Sequence, residues 1–377
     1  MLAHFSHHLL VAMLTPLMPF IRDDFSLNYT QAGVLISAFT LSYGVSQLPG
    51  GWLADRLGQR MLIVFGISGT AFVGLLVGLS TSYLMLVILL VLMGVTGGGY
   101  HPAASPLVSA SVEAKSRGRA LGLHQIGGSA SFFLAPMISV SIASVLGWRG
   151  SFIALSIPIA IFGILLYILL KRFGYAEKQV EVESENPEPE KNTKGVRRLV
   201  AFITLGIAIQ VLVFSAISFI PLFIVDGFGR SEEVAAALLA LIYSGGIWAG
   251  PLGGYLSDRL GKVPVMLCMG ILAGPFIFLL NLAPFGWGLN AVLLGLSVTM
   301  FSTMPVSEVY IITQSSQRRR SAILGIYYFA SRGGSGLVAP ALGYLIDHFG
   351  FDIGFTVMGI SLFVVASICS LFFLKRD

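Results

Sequence analysis

Five histidines and one arginine carry the chemistry that this sequence offers inside its long apolar runs. His4, His7 and His8 fall at i, i+3 and i+4, which puts them on nearly one face of a helix. His101 precedes Pro102 late in the fourth apolar run, and His124 stands beside Gln125 early in the fifth. Imidazole titrates between about pH 5 and 8, so His4, His8 and His101 are candidates to carry a coupling proton. His101 and His124, with Gln125, are also candidates to line a binding site. Against both roles stands the plainer one, a polar contact between packed helices. A metal site built from His4 and His8 is not expected, because no carboxylate lies nearby.

Arg332 sits in Ala330-Ser331-Arg332-Gly333-Gly334, ten residues into an apolar run over 322–346. At about 1.5 Å per residue this is near the middle of a bilayer. An arginine there costs at least about 3 kcal/mol on insertion scales, so it needs a partner or a wet cavity. One reading is an anion site, since the planar guanidinium fork suits carboxylate or phosphate. Tyr328, one turn earlier, shares its face. The other reading is an ion pair with Glu308, the only acidic residue inside the apolar runs. Glu308 lies about one turn from the end of its run and is assigned instead to a gate with Arg259.

These residues belong to a membrane-class chain. Of 377 residues 55% are hydrophobic and only 11% charged, with a mean hydropathy of +0.86. A soluble domain carries about 25% charged residues. Runs of about 20 apolar residues, enough to span the hydrocarbon, recur twelve times. Those of the first half are 3–21, 31–52, 61–79, 83–105, 120–146 and 151–170. Those of the second are 199–225, 234–255, 263–283, 289–312, 322–346 and 354–374. Between them, 171–198 holds six glutamates alternating with basic residues and two prolines, and reads as a flexible linker. The expected domains are therefore 1–170, the linker 171–198, and 199–377.

Of the 23 Lys and Arg residues, 19 fall on one side of this arrangement and three, Arg22, Arg149 and Arg230, on the other. The excess of basic residues marks the cytoplasmic side, so both termini and the linker are expected there. The net charge of +5 is thus a topology signal, and no nucleic-acid partner is expected. Cys268 and Cys369 lie inside apolar runs and read as small apolar residues. The N-terminus has neither a basic leader nor an obvious cleavage site, so it does not read as a signal peptide. No Gly-Lys-Ser or Gly-Lys-Thr loop, zinc pattern or nucleophile elbow is present, so neither an enzyme nor a cofactor is expected.

The halves repeat one another. Gly51-Trp52-Leu53-Ala54-Asp55-Arg56-Leu57-Gly58-Gln59-Arg60 recurs as Gly254-Tyr255-Leu256-Ser257-Asp258-Arg259-Leu260-Gly261-Lys262. Asp55 and Asp258 are 203 residues apart, as are Pro102 and Pro305, Gly122 and Gly325, and Gly147 and Gly350. A constant offset over such a distance marks a duplicated half, as in secondary transporters. The doubled loop resembles the motif between the second and third membrane helices of the major facilitator superfamily. His4 through Pro19, Gly99-Tyr100-His101-Pro102 and Leu123-His124-Gln125-Ile126-Gly127-Gly128 resemble its fosmidomycin-resistance-type branch.

The resemblance implies an all-α membrane protein of twelve transmembrane helices in two pseudo-symmetric six-helix bundles. It implies a monomer in the plasma (inner) membrane that moves a small solute through alternating access. It also implies that Gly51, Asp55, Arg56, Gly58, Arg60, Gly254, Asp258, Arg259 and Gly261 brace the bundles at the cytoplasmic gate. Gln59 stands where that motif usually has Arg, and His8 where members often have an acid. Glycine runs such as Gly97-Gly98-Gly99 and Gly333-Gly334 serve bending and close packing alike. The expected function is proton-linked transport, including efflux, of a small organic anion or drug-like compound. The alternatives are anion exchange or uniport without a proton, and a non-transporting membrane sensor.

Overall fold

The computed structural model describes residues 1–113, 116–172, 193–315 and 317–374, and among them the chain is helical almost throughout, with no strand. Lipid offers the backbone no hydrogen-bonding partner, so a spanning segment must satisfy its amides and carbonyls internally, which a helix does.

The first span is broken into α1 (Leu2–Val11) and α2 (Leu14–Phe25). Pro16 has no N–H to return to the Ala12 carbonyl, so the helix cannot run through. The second span, α3 (Tyr29–Leu57), starts at a capping box: Asn28 accepts from the Gln31 amide while the Gln31 side chain accepts from the Asn28 amide. The third is α4 (Gln59–Val64), a π segment (Phe65–Gly69) and α5 (Thr70–Gly78). The fourth is α6 (Tyr83–Gly98) and α7 (Tyr100–Ala110). They part at Gly99, where Pro102 withholds the N–H that the Gly98 carbonyl would accept.

One long helix, α8 (Arg117–Arg172), holds the fifth and sixth spans and turns at Gly147. The second half follows with α9 (Thr193–Leu222) and a π segment (Phe223–Gly227), α10 (Glu232–Leu260), α11 (Lys262–Leu279) and α12 (Trp287–Gln314). It closes with α13 (Gln317–Leu374), which turns at Gly350. Eight described stretches are long and apolar enough on their own to cross a bilayer, and two of these, of 56 and 51 residues, each cross it twice. With α1–α2 and α3 the count is twelve, arranged as two six-helix bundles. Helix α8 ends at Arg172 and α9 begins at Thr193, both within the stretch read as the linker. Residues 173–192 of that stretch lie outside the described residues.

The duplication is visible in the backbone. Gly147 has φ 71° and ψ 168°, and Gly350 has φ 81° and ψ 171°. Gly58 has φ 87° and ψ 142°, and Gly261 has φ 90° and ψ 151°. These positive-φ corners favour a residue without Cβ, and each pair keeps the 203-residue offset of the sequence repeat. Packing inside each half is repeated with a twist. Gly94 takes the Ser42 side chain against its backbone in the first half, while in the second Gly245 takes that of Ser297. Positions 42 and 245 correspond, as do 94 and 297, so glycine and serine have exchanged places in an equivalent contact. Outside, Ile161, Ile164, Leu165 and Ile168 form an exposed apolar face suited to lipid chains.

The halves meet along α3 with α13 and along α8 with α10. At the end holding Arg22, Arg149 and Arg230 they are tied together. Arg22 pairs with Asp226 of the second half, and the Tyr29 hydroxyl donates to the same carboxylate at 2.8 Å. The Asp347 carboxylate accepts from the Tyr29 and Thr30 amides, both at 2.8 Å, and so caps α3 from the other bundle. Within the first half, Arg149 donates to Asp24 at 2.7 Å and to the Ser80 carbonyl at 2.9 Å. Midway along, Gly44 meets α13 so closely that a methyl group there would come within 2.7 Å of the Gly333 nitrogen. Beyond this point, toward the doubled loop, Gly118, Gly122, Gly254 and Gly325 face open space. The described contacts thus tie the molecule together at one end and leave these four glycines uncovered at the other.

Candidate functional site between the bundles

The broken first and fourth spans turn their imidazoles toward one another. His4, His7 and His8 come from α1, His101 from the start of α7, and His124 from α8. His4, His7, His8 and His124 are buried. The His4 ring lies parallel to that of His124, with centroids 4.1 Å apart. It stands 4.6 Å from His8 and 5.2 Å from His101, and His8 stands 5.0 Å from His101. Gly128 makes room for this, since a Cβ there would come 2.5 Å from the His4 ring.

Hydrogen bonds fix which nitrogens carry protons. His4 Nδ1 lies 2.8 Å from the His124 carbonyl. A carbonyl only accepts, so neutral His4 has its proton on Nδ1 and its lone pair on Nε2. That Nε2 is buried without a partner. His7 Nδ1 likewise donates to the Gly66 carbonyl at 3.0 Å, and its Nε2 accepts from the Tyr43 hydroxyl at 3.1 Å. His7 is therefore fully used in holding α1 to the third span and to α3. His8 Nδ1 and His124 Nε2 are buried and unpartnered. The three histidines of α1 thus divide into one structural residue and two with free ring nitrogens.

Arg332 faces this cluster from the second half. Its guanidinium carbon lies 5.3 Å above the Phe214 ring, and it makes no salt bridge with any described acidic residue. Its charge acts on Tyr43, His8 and His101 of the first bundle and on Tyr243 and Tyr327 of the second. Among the described residues Glu308 makes no salt bridge with it, and the Tyr328 hydroxyl stands near that carboxylate. The expected pairing of Glu308 with Arg259 is not made in this conformation. Glu308 stands near Tyr328, and Arg259 lies over the Tyr255 ring of its own helix at 4.8 Å.

Gln125 is exposed. It lies one turn from Ser129, whose hydroxyl donates across the interface to the Gly246 carbonyl at 3.1 Å. Gln125 therefore shares the face turned to the second bundle, where the halves have begun to part.

The doubled loop is not a brace in this conformation. Arg56 lies 4.3 Å over Trp52, the counterpart of Arg259 over Tyr255. Asp258 is exposed, and Gly254 has open space where a close helix contact was expected, because the bundles diverge at this end. Gly58 and Gly261 form the corners after α3 and α10, and Arg60 lies in the first turn of α4. The surroundings of Gly51 and the side chain of Asp55 lie outside the described residues.

Sequence reasoning missed Tyr43 and Tyr243, one in each bundle and both within reach of the Arg332 charge, and the contacts of Asp226 and Asp347. For Asp226 a signal existed: the repeat offset aligns it with Asp23, an acid at the same end. Asp347 has no acidic counterpart at position 144, so nothing in the pattern marked it.

Comparison with known proteins agrees with this architecture. The family model of the Major Facilitator Superfamily matches residues 1–247 and 203–377. A probable sulfoacetate transporter of Cupriavidus necator is 27% identical over 94% of this chain and 87% of that protein. The fosmidomycin resistance protein of Escherichia coli is 22% identical over 94% of this chain and 87% of its own length. A bacterial homologue of the human lysosomal transporter Spinster, solved in an inward-facing and occupied conformation, superposes with a TM-score of 0.77. It shares 17% identity and covers 98% of this chain and 94% of that one.

Proposed function

The chain belongs to the Major Facilitator Superfamily of membrane transporters, and on that premise we propose that it carries a small organic anion bound at Arg332. The observation that carries this reading is the guanidinium itself. It is placed midway through its span, faces three polar rings of the opposite bundle, and has no acidic partner among the described residues. A charge held there is costly unless something of opposite sign visits it. Sulfoacetate, the solute named for one relative, bears both a carboxylate and a sulfonate, each able to take two parallel N–H bonds from Arg.

Transport follows alternating access between residues 1–170 and 199–377, joined through 171–198. By the positive-inside rule the doubled-loop end is cytoplasmic, which makes the present conformation inward-facing. His8 and His101, near Arg332 and short of hydrogen-bonding partners, are the groups proposed to take the coupling proton, with His4 behind them.

Purified protein in liposomes tests this directly. Sulfoacetate is the first solute, with a panel of short carboxylates and sulfonates beside it, and the pH gradient and the trans anion are varied independently. Uptake driven by the pH gradient, and lost in Arg332→Gln, is expected. Flux that needs a trans anion and ignores the pH gradient would replace proton coupling by exchange. Flux of neutral solutes alone, unchanged in Arg332→Gln, would overturn the anion reading.

A further inference from the structure

We propose that His4, His8 and His101 form a binding site for a divalent transition-metal cation of the zinc class. One ring nitrogen from each lies within 4.8 Å of the other two. Tetrahedral coordination at about 2.0–2.1 Å sets ligand nitrogens about 3.4 Å apart, so modest side-chain rotation brings the three onto one ion.

Three features favour ligation over simple packing. First, the tautomer of His4 is already that of a ligand: its Nδ1 proton is held by the His124 carbonyl, leaving the Nε2 lone pair free. A backbone carbonyl on the far nitrogen is the usual outer support of a metal-bound imidazole. Second, His4 is 3% exposed and His8 6%, yet His4 Nε2 and His8 Nδ1 have no partner, an arrangement costly in a packed interior. Third, the ring planes are inclined to one another, by 56° between His4 and His8, 88° between His4 and His101, and 40° between His8 and His101. Lone pairs lie in the ring plane, so inclined rings can converge on a point.

The same criteria exclude the neighbours. His124 lies 5° from parallel to His4, so its lone pairs run alongside those of His4 rather than toward them. His7 has both nitrogens engaged. Three imidazoles suit zinc, cobalt, nickel or copper and not the hard cations magnesium and calcium. They leave a fourth position, for an anion or water, on an ion that staples α1 to α7 across the breaks at Ala12 and Gly99. The missing carboxylate, which argued against a site of His4 and His8 alone, is answered by the third ring. Arg332 nearby repels a cation and so tempers the affinity.

The test is titration of the purified protein with Zn2+ by calorimetry and with Co2+ by visible absorbance, with Mg2+ as control. One equivalent of Zn2+, the intense visible bands of tetrahedral Co2+, and no response to Mg2+ are expected. His4→Gln, His8→Gln and His101→Gln should each weaken Zn2+ binding by more than about tenfold, since even an outer-support change costs that much. His124→Gln should keep the site, and Arg332→Gln should tighten it. Variants are compared only where circular dichroism and elution volume match the parent. His101→Asn serves as a second replacement where His101→Gln fails to fold. The proposal is overturned by the absence of stoichiometric Zn2+ binding to the parent protein. It is overturned equally by binding that survives loss of all three rings.

Discussion

At Arg332, two accounts of one residue make opposite stability predictions. If the charge awaits an anionic solute, Arg332→Gln removes a half-buried cation with no salt bridge among the described residues and leaves the thermal midpoint equal or higher. Solute affinity should fall about ten- to a hundredfold, the worth of about 1.5–3 kcal/mol for a charged hydrogen bond. Arg332→Lys keeps the charge without the planar fork and should retain transport at reduced affinity. Detergent melting curves beside solute binding check this, and a melting point lowered by Arg332→Gln with affinity preserved would reassign the residue to structure. Tyr328→Phe is the companion experiment. Because Tyr328 stands beside the half-buried Glu308, loss of its hydroxyl should lower stability by about 1 kcal/mol. Replacing Glu308 by Gln in the same chain should restore most of that, which a double-mutant cycle measures.

Helix ends and breaks decide how those residues meet. Pro16 and Pro102 interrupt the first and fourth spans, and the turns they leave set the histidines of α1 against His101. The N-terminus of α3 depends on a residue of the other bundle. Both oxygens of Asp347 take the first free amides of that helix, a bond of the kind worth about 1 kcal/mol. It exists only while this end of the molecule is closed. Asp347→Ala should therefore shift the balance toward opening at this end by about fivefold while leaving each bundle folded. Maleimide labelling of a cysteine introduced beside Tyr29 would report it. Labelling unchanged from the parent would remove Asp347 from the latch.

Across the whole molecule, the two ends are in opposite conditions. The Arg22, Tyr29, Asp226 and Asp347 contacts hold one end, while at the other Asp258 is exposed and Arg259 lies over Tyr255 of its own helix. A brace at the doubled loops would belong to an alternate state in which this end closes. Asp258→Asn should then leave the present conformation intact and destabilise the alternate one by about 0.3–2 kcal/mol, the range for a carboxylate at a helix N-terminus. In double electron–electron resonance between labels at the doubled-loop ends of the bundles, the short-distance population should fall. A short-distance population equal to that of the parent in Asp258→Asn and in Asp55→Asn with Asp258→Asn would show that these acids stabilise no closed state.

What the sequence determined by itself is whatever a segment must satisfy locally. Each span has to be apolar over its own length, so the twelve spans were legible in composition. Gly58, Gly147, Gly261 and Gly350 could be paired by offset alone, because a positive-φ corner constrains the residue that stands in it. Arg332 was legible for the same reason, since an arginine at that depth is costly whatever surrounds it. Partners are another matter. His4 and His101 lie almost a hundred residues apart in the chain, and only the rotation of α1 and α7 about their breaks brings them together. Glu308 was assigned to Arg259 with Arg332 as the alternative, and packing sets it near Tyr328. Which end is closed depends on contacts between bundles, such as Asp347 on Tyr29, that no helix encodes alone. Local physics writes the elements into the chain; the relative rotation and spacing of packed helices chooses among the partners those elements present.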